Sequence, residues 1–163
     1  MGKRTRSQRR GSSPKNRVNS HRFPAFNKLP RKTDEVATII DLIHSPAHTA
    51  PLAKLKFEDG TIGHFAAPEG TSVGQNIAFG ENVTLRPGNV TTLDRIPEGT
   101  PVCNVELRPG DGGKFAKSGG NSAILETRME ETVRVRLPSG KLKELHSECR
   151  ATIGILGGHG RTD

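Results

Sequence analysis

Tryptophan and tyrosine are absent from this chain, and six phenylalanines are its whole aromatic complement. Only 31% of its 163 residues are hydrophobic. One large core is therefore excluded, and the length allows one ordinary domain or two very small ones. Two cysteines are too few for a disulfide framework and read as reduced, buried thiols. No run of about twenty apolar residues is present to cross a membrane, and no apolar stretch of the secretory-signal kind opens the chain. Acidic residues are missing altogether from residues 1–33, which hold 11 of the 25 lysines and arginines. The other 14 cations face all 17 acids, so the whole surplus of +8 resides in the first 33 residues. Charge of that kind points to a polyanionic partner.

The basic arm, MGKRTRSQRRGSSPKNRVNSHRFPAFNKLPRKT, has no apolar periodicity and is broken by Pro14, Pro24 and Pro30. It cannot bury enough surface to offset chain entropy, so it is expected to be disordered alone. Its prolines oppose the amphipathic helix of a membrane-surface arm or a mitochondrial presequence. The remaining reading is a segment that threads along RNA. Its phosphate contacts would be Lys3, Arg4, Arg6, Arg9, Arg10, Lys15, Arg17, Arg22, Lys28, Arg31 and Lys32, with Phe23 and Phe26 stacking on bases or anchoring on the body.

From Asp34 the texture changes to short β-strands. Val36–Ile43 is an apolar, β-branched run that reads as a buried strand. Leu52–Phe57 alternates with period two, Glu58-Asp59-Gly60 turns, and Thr61–Ala66 returns. Gln75–Phe79 and Val83–Leu85 are further short strands, giving residues 34–86 the size of a small closed barrel. A second series follows in residues 87–160: Thr100–Leu107, Ser122–Thr127, Thr132–Leu137, Lys141–Leu145 and Arg150–Leu156. In Thr132–Leu137 strict alternation puts valines toward a core and arginines outward. The fold class is all-β, two small barrels in tandem, with the boundary near Arg86–Gly88.

Between the first two strands of that second series lies a glycine-rich loop, GDGGKFAKSGG, from Gly110 to Gly120. Gly112 and Gly113 provide bare backbone, Lys114 and Lys117 provide charge, Phe115 a ring and Ser118 a hydroxyl. Free N–H groups, cations and a flat ring suit a phosphate-rich partner with exposed bases. A plain glycine-rich connection is the structural alternative. The spacing is not that of a Walker A loop, since Phe115 follows Gly113-Lys114 and Arg108 stands where the first glycine belongs. Nor is it a dinucleotide fingerprint, because Pro109 precedes the run and no helix opens there. His44 and His48 are separated by Pro46, against a helical metal pair. His146 and Cys149 form one tight pair with Cys103 a conceivable third donor, whereas structural zinc shows two such pairs. Lys117-Ser118 has no base placed by sequence, and Glu130-Glu131 is a solvated pair. No catalytic constellation, metal or cofactor is implied.

The stretch GNVTTLDRIPEGTPVCNVELRPGDGGKFAKSGG, from Gly88 to Gly120, resembles the central signature of the universal L-two family of large-subunit ribosomal proteins. The matching residues are Gly88, Asn89, Ile96, Pro97, Gly99, Val102, Asn104, Glu106, Pro109, Gly110, Gly112 and Gly113. Cys103 and the sequence Lys117-Ser118-Gly119 resemble the archaeal–eukaryotic branch. The resemblance implies an OB-fold followed by an SH3-like barrel, and a structural constituent of the large subunit bound to ribosomal RNA near the peptidyl-transferase region. It also implies support for subunit association, tRNA binding and peptide-bond formation, with RNA as the catalyst. Its partners would be large-subunit ribosomal RNA, other ribosomal proteins and the small subunit, in the cytoplasm and away from membranes. Related chains continue past this point, so residues 161–163 read as the start of an extension this chain lacks. The competing readings are a free RNA-binding factor or RNA chaperone on the same barrels, and a nucleotide-dependent RNA enzyme, which the Walker spacing disfavours.

Overall fold

In the computed structural model, residues 6, 25–46 and 48–160 are described, and they form an all-β structure. The first half contributes β1 (Glu35–Ile43), β2 (Leu52–Phe57), β3 (Ile62–Ala66) and β4 (Asn76–Phe79). The second contributes β5 (Val90–Thr92), a 3-10 turn at Leu93–Arg95, and then β6 (Pro101–Cys103) and β7 (Ala123–Arg128). It closes with β8 (Thr132–Arg136), β9 (Leu142–His146) and β10 (Arg150–Ile153). The strands hydrogen-bond in the order β3-β2-β1-β4-β5-β10-β6-β7-β8-β9. An OB-like barrel half thus leads into an SH3-like half. They are joined where β4 and β5 run parallel through one pair, Phe79 and Val90.

Each half wraps its own core. The first is built on Ala37, Ile39, Leu55 and Ile77 with three phenylalanines, Phe57, Phe65 and Phe79. Phe79 lies 5.5 Å from Phe57 and 6.5 Å from Phe65 between ring centroids, tilted against one and edge-on to the other. Such geometry adds to the apolar burial. The second core is aliphatic, with Leu93, Ile96, Val102, Leu125, Val133, Val135 and Leu145. The inner ends of β2 and β3 serve both. Leu52 and Ala66 point into the second core, while Ala53, Phe65 and Ala67 point into the first. Alternation of side chains along a strand is what lets one hairpin end wall two cores.

The alternation expected for Thr132–Leu137 holds in β8, where Val133 and Val135 are buried and Arg134 and Arg136 face out to Glu144 and Glu126. Four expectations are corrected. β1 is only half-buried: Val36, Ile40 and Leu42 are on the surface, and a bulge between Ile39 and Asp41 bends the strand. Val83–Leu85 is irregular, and the strand instead is Val90–Thr92, which pairs with β10. Thr100–Leu107 is cut short at Cys103, because Asn104 adopts a positive φ of 51°. Finally, the disorder expected of residues 1–33 does not describe residues 25–33. Residues 25–33 pack on the body, with Leu29 buried in the first core and Asn27 accepting a hydrogen bond from Ala66 N at 3.0 Å.

Candidate RNA interface

The glycine-rich loop takes its shape from one buried carboxylate. Glu106 is fully buried. Its Oε1 accepts from Gly112 N at 3.1 Å and from Arg150 Nη2 at 2.8 Å. Its Oε2 accepts from Gly110 N at 3.1 Å and Arg150 N at 3.0 Å. Burial alone would raise its pKa, but the hydrogen bonds and charge of Arg150 outweigh it and hold the carboxyl below its ordinary range. Asp111 does the same for the rest of the turn, accepting from Leu107 N, Arg108 N and Gly113 N. Gly113 has φ +86°, and a Cβ there would lie 2.7 Å from the Asn104 carbonyl oxygen. Only glycine fits that position without displacing backbone.

Residues 25–33 form a strap held to this loop and to both halves. Leu29 N donates to Gly112 O at 2.9 Å, and Lys28 N to His64 O at 3.3 Å. Arg150 Nη1 donates to Pro30 O at 2.8 Å. Lys117 Nζ reaches back to Asn27 O and also donates to Gly113 O at 3.2 Å. Burial lowers the pKa of Lys117, and the charges of Lys114 and Lys28 lower it further. Lys114 and Lys28 are thus close enough to repel Lys117, with Asp111 the acid that partly offsets them. Lys28 and Lys114 are exposed. A cluster of cations whose mutual repulsion the fold tolerates is a place where an anion is attracted.

Residues 2–79 match the family model "Ribosomal Proteins L2, RNA binding N-terminal domain", and residues 86–163 match "Ribosomal Proteins L2, C-terminal domain". The chain is 46% identical to the large ribosomal subunit protein uL2 of Archaeoglobus fulgidus and 46% identical to that of Haloarcula marismortui. It is 41% identical to the uL2 of Methanothermobacter thermautotrophicus. Each alignment covers 100% of this chain and 70% of the relative's length. The chain belongs to the uL2 family of large ribosomal subunit proteins. Its role within that family is that of a structural ribosomal protein, and its relatives are of archaeal type, as the residues at 103 and 117–119 led one to expect.

On this uL2 fold the residues singled out from sequence are placed unevenly. Lys3, Arg4, Arg9, Arg10, Lys15, Arg17, Arg22 and Phe23 lie outside the described residues, as do residues 161–163. Arg6, Lys28 and Arg31 are exposed, as are Lys114 and Ser118 in the loop. Lys32 is half-buried and committed to Glu35 and Asp59, whose carboxyl its hydrogen bond pulls down to about 2. The free amides expected at Gly112 and Gly113 are not free, since Glu106 and Asp111 accept from them, and both glycines are buried. The ring of Phe115 is occupied as well: it packs on the second core with Lys143 Nζ 5.0 Å from its centroid.

Cys103 and Cys149 are free and buried, and burial pushes their thiols up to about 12 and about 11. His146 is exposed and lies beside Glu148. Among the described residues no three potential metal ligands come together. What sequence reading missed is Arg150, which ties the loop to the strap. Its partner Glu106 stands 44 positions away, beyond any local periodicity.

Proposed function

We propose that this chain binds large-subunit ribosomal RNA through one continuous basic surface made of the arm, the strap and the glycine-rich loop, and so holds the RNA in its working fold. The observation that supports this most directly is the convergence of Lys28, Lys114 and Lys117 around the strap–loop junction. The internal satisfaction of the loop amides shifts the contact from backbone to lysine: the loop is a rigid platform that aims cations, and RNA phosphates meet them. The eight lysines and arginines of residues 1–24, with no acid among them, extend this surface along the RNA from Ala25.

We infer the finer assignments from family membership. The protein acts near the peptidyl-transferase region, supports subunit association and tRNA binding, contacts other ribosomal proteins, and works in the cytoplasm. The chemistry there belongs to RNA, and this chain is not itself an enzyme.

Sedimentation tests the reading. The chain is expected to travel with large subunits through a sucrose gradient after a moderate salt wash, whereas a free RNA-binding factor would remain at the top. Filter binding to large-subunit ribosomal RNA across a salt series then locates the contact. Replacing Lys28 and Lys114 with alanine should reduce the slope of log K against log salt by roughly 1.4 to 1.8, two phosphate contacts' worth. An unchanged slope would remove these lysines from the interface.

A further inference from the structure

Beside the lysine cluster, the strap and the edge strand β3 enclose a groove of about 510 Å3 that none of the contacts above occupies. Its walls are apolar. Phe26 is 81% exposed, Ile62 is 52% exposed, and Leu29, Pro30 and Phe57 form the inner side. Gly63 lets the strap press close on β3, since a Cβ there would lie 2.9 Å from Pro30 Cγ and 3.3 Å from Phe57 Cε2, and these two side chains form the apolar floor. The rim is basic, with Lys28 and Arg31 both exposed. Lys32 also lines the groove, but Asp59 and Glu35 already answer its charge. His64 completes the lining, half-buried and with its pKa lowered by burial and by Lys54. At neutral pH it is therefore a neutral imidazole with one donor and one acceptor nitrogen.

We infer that this groove receives a single unpaired nucleobase, stacked on Phe26, with its flanking phosphates on Lys28 and Arg31. The inference rests on the RNA-binding reading above and names the chemistry of one part of that surface. An exposed phenylalanine over an apolar slot offers a π-face to any base. Two free cations at the mouth complement the phosphates that every nucleotide carries. An apolar peptide side chain would use the same walls but has no need of the cations or of a neutral donor–acceptor. Double-stranded RNA cannot enter, because its bases are paired and stacked within the helix.

The 163-residue chain would be titrated with fluorescein-labelled octa-adenylate and with a blunt RNA duplex of equal charge, at low salt. Phe26→Ala and Phe26→Leu should each weaken octa-adenylate binding about 5- to 150-fold, the range that 1–3 kcal/mol of stacking gives. The salt slope should stay unchanged, and duplex binding should move less than twofold. Phe26→Leu keeps an apolar surface for a protein partner and removes only the ring. Phe26→Trp should retain wild-type affinity. Ring protons of Phe26 should shift upfield on adding the oligonucleotide. Phe26 is on the surface, so these variants fold. Indifference of octa-adenylate binding to Phe26, or an equal loss for the duplex, would overturn the inference while leaving the lysine surface standing. Full binding by Phe26→Leu would overturn it in favour of plain apolar docking. Failure of the unaltered chain to bind either the oligonucleotide or ribosomal RNA would sink both this inference and the function it rests on.

Discussion

The two halves of the molecule are held together by different physics. The first core is apolar and aromatic, closed by Phe57, Phe65 and Phe79. The second is aliphatic but has a polar heart, in which Glu106 and Arg150 are buried beside Asn104 and Thr152. Hydrophobic burial is non-directional, so the first half gains stability without having to shape any particular loop. Hydrogen bonds to a buried carboxylate are directional, and the second half uses them to fix the glycine-rich loop and the strap in one geometry. A buried ion pair contributes little net stability relative to apolar residues of the same size, but breaking it is costly. The difference teaches that the second half has accepted a polar interior where a surface must be aimed.

The comparison is sharpest where the ion pair is cut. Arg150→Met should destabilise the chain by about 3–5 kcal/mol, because Glu106 is left buried without its partner. Loss of the strap contacts should follow, visible as faster amide exchange at Leu29. Phe79→Ala should cost a similar amount, about 3–5 kcal/mol, but leave the loop amides of residues 110–113 protected in the folded state. If both variants loosen the loop equally, the two halves are not organised differently.

A pH series separates them further. The folded pKa of Glu106 lies below its unfolded value of about 4.3. Its contribution is therefore complete above that unfolded value and is lost as pH falls through the folded one. Urea midpoints of wild type should fall between pH 5 and pH 2 more steeply than those of Glu106→Gln, which starts lower at pH 7. Parallel curves would mean the carboxylate is not the titrating element. Gly113→Ala is expected to cost about 1–3 kcal/mol through positive φ and contact with the Asn104 carbonyl. Its effect should also appear as weaker RNA binding without a change in salt slope. The smallest effect belongs to Thr49→Val, which removes the hydroxyl that accepts from Gly119 N at 2.7 Å. About 0.5–1.5 kcal/mol in the urea midpoint is expected.

What the sequence made legible was what local physics decides. Alternation identified Thr132–Leu137, which forms a strand from Thr132 to Arg136, and an acidic pair before Gly60 identified the β2–β3 turn. What it hid was decided by distant partners. Val83–Leu85 and Val90–Thr92 have nearly the same strand preference, but only the second finds a neighbour, in β10. Residues 25–33 look like the rest of a disordered basic arm, yet their carbonyls meet Arg150 and Lys117, more than 80 positions away in sequence. Lys28, Lys114 and Lys117 could be named from the sequence as candidate contacts, but the placement of Lys28 and Lys114 near Lys117 could not. That the amides of Gly112 and Gly113 and the ring of Phe115 have internal partners was hidden, because Glu106, Asp111 and Lys143 engage groups that composition alone leaves free.

The shared wall at the ends of β2 and β3 has a consequence for synthesis. Leu52 and Ala66 need the second core to leave water, and Ala67 O accepts from Gly157 N at 2.9 Å. A nascent chain that has emerged only as far as Gly88 therefore has its first barrel strands but an unsealed apolar flank. Chains usually complete their N-terminal unit first; this one must wait for nearly its last described residues before its first half is finished. Ribosome-bound chains stalled with Gly88 outside the tunnel should bind an apolar dye that chains stalled beyond Gly160 do not. During that interval the apolar flank formed by Leu52 and Ala66 would stay open to water.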